Sequence, residues 1–310
     1  MLKKVGRLEV SIFQIYLLIN HTLSFMFKLV LLISVFCFAE VKAQVITDSI
    51  LIEGHYRTFL FKNPGNDKKS SLMFVMHGSG GKAEDMMSST ARLEEKAKNE
   101  QLLLVYPNGY QNYWNECRKA ATSTANIENI NENAFFEGMI EFFKSKYHID
   151  TNKVFASGMS GGGHMAYKLA LTMPQKIKAI AVIVANLPDT NNMDCIEVKR
   201  PISVMIVNGT EDPLNLYNGG MMVLGNVTLG YVRSTDRTFK YWSNLAGYTG
   251  DPVKENLPDT DPSDGRTIER YSYKKEGKPE VVLLKVIGGK HDYPKDIDVF
   301  EEAWEFFKRQ

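Results

Sequence analysis

Neither sign of charge is in excess in this chain: 37 Lys and Arg face 36 Asp and Glu, a formal net charge of +1. A balanced surface provides no field to attract a polyanion or an anionic bilayer, so nucleic acid is not an expected partner. No apolar run reaches the ~20 residues of an ordinary membrane span. There is no internal repeat, no low-complexity tract and no linker rich in Pro, Gly and Ser to mark a domain boundary. The dinucleotide spacing G-x-G-x-x-G and a P-loop lysine are both missing. The acidic stretch "DPVKENLPDTDPSDG" has no glycine at the sixth position and no glutamate at the twelfth of a calcium loop, and reads as a solvated loop. Cysteine is scarce, at three residues.

The first forty-odd residues stand apart from the rest. "MFKLVLLISVFCFAEVKAQ", from Met26, pairs a lysine with a short apolar run and a small residue, Ala43, the form of a secretory signal cleaved after Ala43. The expected organisation is a signal over residues 1–43, or 26–43 with a start at Met26, followed by one domain over residues 44–310, the competing reading being an uncleaved N-terminal anchor. The mature chain is then exported or periplasmic, with no stable membrane association. It keeps Cys117 and Cys195, and an even count in an oxidising compartment favours one disulfide.

From about residue 50, short apolar runs alternate with helix-period segments. "LMFVMHG", "LLLVYP", "KVFASG", "AIAVIVA", "ISVMIVNG" and "VVLLKVIGG" are mostly continuous in apolar residues, as strands covered on both faces require. Amphipathic helices are expected over residues 83–100, 131–147, 162–173, 236–247 and 298–309. Regular alternation of this kind predicts an α/β fold, a doubly wound, mostly parallel sheet with helices on both faces.

"GMSGG", Gly158 to Gly162, matches G-x-S-x-G between a buried strand and a helix, where a sharp turn exposes a serine nucleophile. Gly158 and Gly162 are expected to relieve crowding at that strained turn. A serine hydroxyl needs a histidine base, itself oriented by an acid. In an α/β-hydrolase these follow in the order serine, acid, histidine, each beyond a strand end. Asp212, preferred over Glu211, follows "ISVMIVNG", and His291 follows "VVLLKVIGG". "HGSGG" after the strand "LMFVM" supplies an oxyanion donor from the Ser79 N–H, with the Gly161 N–H as the second.

With these pieces in order, "MHGSGG", "YWNECR", "IDTNKVFASGMSGGGHMAYKLA", "VNGTEDPLNLYNGG" and "IGGKHDYP" resemble the secreted esterases grouped with poly(3-hydroxybutyrate) depolymerases and feruloyl or acetylxylan esterases. The resemblance runs from about Ser70 to Pro294. It implies the α/β-hydrolase fold, ester hydrolysis through an acyl-enzyme, and Ser160, Asp212 and His291 as the triad. It also implies that Trp114 and Tyr217 lie near the substrate cleft, and that no cofactor and no metal take part. Lys290 and Tyr293 stand where the family usually has glycine and tryptophan, which bears on substrate preference. The expected substrate is a small-molecule, oligosaccharide or polymer ester, foremost feruloyl or acetyl esters of plant polysaccharide. Short-chain polyester hydrolysis and non-catalytic carbohydrate binding are the alternatives.

Overall fold

A sheet whose strands carry apolar side chains on both faces must be covered twice, and that requirement organises the whole molecule. The computed structural model describes residue 20 and residues 44–63, 65 and 69–310. The expected signal segment and the start at Met26 lie outside the described residues. Among the described residues, no helix is long and apolar enough to cross a membrane.

Ten strands form one sheet in the order β1-β2-β4-β3-β5-β6-β7-β12-β11-β10. They are β1 (Val45–Ile52), β2 (His55–Lys62), β3 (Ser70–Met76), β4 (Leu102–Pro107), β5 (Ile149–Met159), β6 (Ala179–Ile183), β7 (Ser203–Gly209), β10 (Val253–Asn256), β11 (Thr267–Tyr273) and β12 (Val281–Ile287). The centre from β4 to β12 is parallel, and the flanking pairs are antiparallel. Strands β3, β4, β6 and β7 are buried at every residue. Along β3, Leu72, Phe74 and Met76 enter one core and Met73 and Val75 the other. That alternation is the pleat of a strand with two apolar faces.

The first core is covered by α4 (Glu132–Tyr147), α5 (Gly161–Thr172) and α6 (Thr235–Leu245), through residues such as Phe136, Leu169 and Trp242. The second is covered by α1 (Ala83–Ser89), α2 (Ala91–Ala97) and α7 (Val299–Phe307), through Met86, Leu93 and Phe300. The segment 83–100, expected as one helix, breaks at Thr90. Its hydroxyl is held by Met86 O at 3.0 Å and the Tyr106 hydroxyl at 2.6 Å, which pins a non-helical residue in the middle.

The N-terminal hairpin β1–β2, the edge strands β10 and β11, and a separate hairpin of β8 (Gly220–Leu224) and β9 (Val227–Val232) are additions to the expected pattern. Part of the stretch expected as a solvated loop, Val253–Asn256, pairs with β11 as the exposed edge of the sheet. The irregular stretch 108–129 also contains the short helix α3 (Thr124–Ile127).

Cys117 and Cys195, 78 residues apart, are joined in a disulfide. Asn192, three residues before Cys195, accepts through its backbone O from Lys119 N at 2.8 Å and through its side chain from Ala120 N at 3.0 Å. Its Nδ2 donates to Leu229 O and Tyr231 O of β9 at 3.0 and 3.1 Å. The bridge thus braces the loop against which the β8–β9 hairpin rests. Replacing both cysteines by serine is expected to cost about 4 kcal/mol from loop closure, a fall of roughly 10 °C in Tm. A melt unchanged by the double substitution, or by reductant, would show that the bridge does not support the fold.

Candidate active site

At the carboxyl end of β5, the chain must turn at once from strand into helix. Ser160 does so at φ 53° and ψ −115°, a conformation that L residues rarely adopt. It is held there by Ser160 N donating to Ile183 O at 2.9 Å and by His164 N donating to Ser160 O at 2.9 Å. The flanking glycines are required by close approach. A Cβ on Gly158 would lie 2.4 Å from Gly162 C, and one on Gly162 would lie 2.3 Å from Met76 O. The crowding is therefore between the two glycines across the turn and between Gly162 and the end of β3, rather than against the serine itself.

The loops after β7 and β12 meet through glycine as well. A Cβ on Gly209 would fall 2.2 Å from Gly289 O, and Glu211 N donates to that same carbonyl at 2.8 Å. This contact brings Asp212 beneath His291. Nδ1 of His291 lies 2.7 Å from Asp212 Oδ2, and Nε2 lies 2.9 Å from Ser160 Oγ. A carboxylate only accepts, so Nδ1–H donates to Asp212 and Nε2 is free to accept from the serine hydroxyl. The other carboxylate oxygen, Oδ1, accepts from Leu214 N and Asn215 N, both at 2.8 Å. Asp212 is thus buried and fully bonded, whereas Glu211 is exposed. Beyond the histidine, Arg266 clamps Asp292 with two bonds of 2.8 and 3.0 Å.

On the opposite side of Ser160, the glycine-rich loop after β3 passes close to the start of α5. A Cβ on Gly161 would lie 2.8 Å from Ser79 N, so the two peptide units are neighbours in space. As the first residue of a helix, Gly161 has no intrahelical acceptor for its N–H. Two amide donors at one helix N-terminus favour negative charge on an oxygen bound between them.

His77 fixes this loop, a role that its place in the sequence did not disclose. Its Nδ1 donates to Gly78 O at 2.7 Å while Nε2 accepts from Gly109 N at 2.9 Å. Burial is the first cause that lowers its pKa, against a smaller raising effect of the bond to Gly78. The neutral ring required by its two bonds is therefore also the electrostatically favoured one. His164, the fifth residue of the turn and helix that Ser160 begins, is buried, and its pKa is well lowered, first by burial and then by the charge of Arg118.

Two adjoining cavities open at the serine. One, of about 240 Å³, is lined by Ser160, His291, Met159 and Leu214; the other, of about 180 Å³, by Gly161, Trp114, Tyr113 and Glu116. Both share Ser79, Arg118, Leu224 and Leu229, so the β8–β9 hairpin forms a common wall. Trp114 is buried, lines only the second of these cavities and donates from Nε1 to His77 O at 2.9 Å. Tyr217 is placed elsewhere: it lines a third cavity of about 640 Å³ with Phe239 and Tyr273, and its hydroxyl donates to Asp236 at 3.0 Å. The hairpin was readable in principle, since "GMMVLGNVTLGYV" holds two β-rich runs about a Gly-Asn turn.

No protein-family model matches the chain. It is similar to feruloyl esterase B of Piromyces equi, 25% identical over 228 residues, which are 73% of this chain and 40% of that protein. A bifunctional acetylxylan esterase/xylanase of Neocallimastix patriciarum is 28% identical over 148 residues, 48% of this chain and 20% of that protein. The chain spans about half, or less, of the length of these and the other first curated relatives it matches. Among solved structures, the acetyl xylan esterase from Aspergillus awamori superposes with a TM-score of 0.60 at 16% identity, over 86% of this chain and 100% of that one. The superposition shows a shared α/β-hydrolase fold, and in sequence the chain is similar to feruloyl and acetylxylan esterases.

Proposed function

We propose that this protein is an exported serine esterase that cleaves carboxylic esters of plant polysaccharide through an acyl-enzyme. The observation that carries the reading is the continuous hydrogen-bond chain from Ser160 Oγ through His291 to Asp212, at 2.9 and 2.7 Å. Three side chains 131 and 79 residues apart converge in the arrangement that a serine nucleophile needs.

Ser160 Oγ attacks the ester carbonyl as His291 Nε2 takes its proton. The new imidazolium is stabilised by Asp212, which stays ionised. The carbonyl oxygen becomes an oxyanion between the N–H groups of Ser79 and Gly161, and losing one such donor typically costs ~3 kcal/mol of barrier. His291 then protonates the leaving alcohol, so the alcohol departs on the histidine side. Water, deprotonated by the same imidazole, releases the acid and restores Ser160. Export is supported by the Cys117–Cys195 bridge, which persists in oxidising compartments.

The names of the relatives direct the choice of acyl group to feruloyl and acetyl. Methyl ferulate, acetylated xylan and hydroxybutyrate oligomers, assayed side by side, test it. Release of ferulate or acetate at kcat/KM at least tenfold above that for the polyester is expected. Preference for hydroxybutyrate would transfer the protein to polyester substrates, and no turnover of any ester would leave carbohydrate binding alone.

A further inference from the structure

Ser79 brings to the site a side chain as well as a backbone N–H. It lines both cavities at Ser160. The loop that carries it lies against that serine, since a Cβ on Gly78 would be 3.6 Å from Ser160 Cβ. The Ser79 hydroxyl is turned towards the start of α5. A Cβ on Gly161 would meet Ser79 Oγ at 2.5 Å and Ser79 N at 2.8 Å, so the hydroxyl and the amide of one residue lie together over the same point of the Gly161 backbone. Glycine at 161 is what leaves room for both.

A serine hydroxyl in a turn commonly bonds a nearby backbone group of its own loop. Here the loop is held without it. Gly81 N donates to Gly78 O at 3.0 Å and Gly80 N to Asn112 O at 2.9 Å, while His77 bonds Gly78 O and Gly109 N. Among the described residues, neither the hydroxyl nor the N–H of Ser79 makes a hydrogen bond. Two donors of one residue are therefore left unused beside the nucleophile, on a backbone fixed by other groups.

We propose that the Ser79 side-chain O–H is a third donor to the oxyanion, which makes Ser79 a catalytic residue through its hydroxyl. The inference rests on the serine-esterase reading and goes beyond its two backbone donors. As Ser160 Oγ bonds to the carbonyl carbon, the π electrons of the carbonyl move to its oxygen. That charge develops within reach of Ser79 N–H, Ser79 Oγ–H and Gly161 N–H. A hydroxyl donating to an anionic oxygen forms a short, charge-assisted bond, and this one gives up no bond to the protein in doing so. Because the bond strengthens as the charge appears, it acts on kcat more than on KM.

The test removes the hydroxyl and keeps the N–H. In Ser79→Ala, kcat for p-nitrophenyl acetate is expected to fall on the order of 10²-fold, the loss of one oxyanion donor, with KM and Tm little changed. Ser79→Thr and Ser79→Val have nearly the same shape and differ in the hydroxyl, so Thr should recover most of the lost kcat and Val should not. A trifluoromethyl ketone, which adds to Ser160 as an anionic hemiketal, should bind the Ala and Val variants more weakly than the Thr variant by a comparable factor. Native kcat in Ser79→Ala overturns the assignment. So does a loss confined to KM, or equal kcat in Ser79→Thr and Ser79→Val. Failure of the native chain on p-nitrophenyl acetate would instead overturn the esterase reading itself.

Discussion

Ser160→Ala is expected to lower kcat for p-nitrophenyl acetate on the order of 10⁶-fold, the loss seen when a triad serine is removed from a serine protease. The hydroxyl is bonded to His291 alone among the described residues, so the melting temperature should stay within a few degrees while turnover disappears. Asp212→Asn is the informative companion. It places an amide in position to donate towards Nδ1, which drives the imidazole proton to Nε2, the atom that must accept from Ser160. A loss of about 10⁴ in kcat is expected from that wrong tautomer. Its retained Oδ1 can still accept from Leu214 N and Asn215 N, so the loop should survive. More than one per cent of native activity in pure Ser160→Ala protein would show that another group attacks the ester. Full activity in Asp212→Asn would show that the imidazole is oriented by something else.

The second large effect is on folding. Gly162→Ala would place a Cβ 2.3 Å from Met76 O, 2.6 Å from Met76 C and 2.7 Å from His77 O. All three are backbone atoms of β3 and the loop behind it, with no rotamer to yield, so α5 must retreat from the sheet. A cost of about 3–5 kcal/mol is expected, at the upper end for one substitution. Movement of α5 also parts Gly161 from Ser79, so activity should fall even in molecules that remain folded. Gly78→Ala is the control in the same loop: its nearest atoms are 3.6 Å away, an ordinary contact, and a change below about 1 kcal/mol is expected. Equal melting temperatures for the two variants would sink the argument from close approach.

These two predictions rest on residues of different legibility. The order of the proposed triad could be read from the chain because each of Ser160, Asp212 and His291 follows a continuous apolar run. In a parallel sheet the carboxyl ends of such runs gather on one edge. The acid could also be chosen: a short carboxylate before Pro213 can turn under the ring, and Glu211 is the one left in solvent. Tyr217, assigned to the cleft by resemblance alone, lies five residues after Asp212, yet it faces a different cavity. Proximity along a loop does not determine which way a ring points.

The strands that escaped the sequence reading share one property: they are hairpins or edges. β1 alternates exposed and half-buried residues and has no long apolar run. β8 and β9 expose Val223, Leu224, Val227 and Tyr231, so their apolar residues do not mark a core. Arg118 and Glu116 are charged residues in an irregular loop, which on composition alone would be placed in solvent. Their burial depends on the disulfide, the Asn192 contacts and the hairpin that closes over them.

Local sequence alone determined the doubly covered sheet, the strained serine turn and the order of the three side chains proposed as the triad, because the period of apolar residues and the strand-end rule act over a few residues at a time. Only the tertiary structure decided which side chains wall the two cavities beside Ser160. That outcome depends on segments around residues 118, 192 and 222, far apart in the chain, whose contacts form only when the whole sheet has closed.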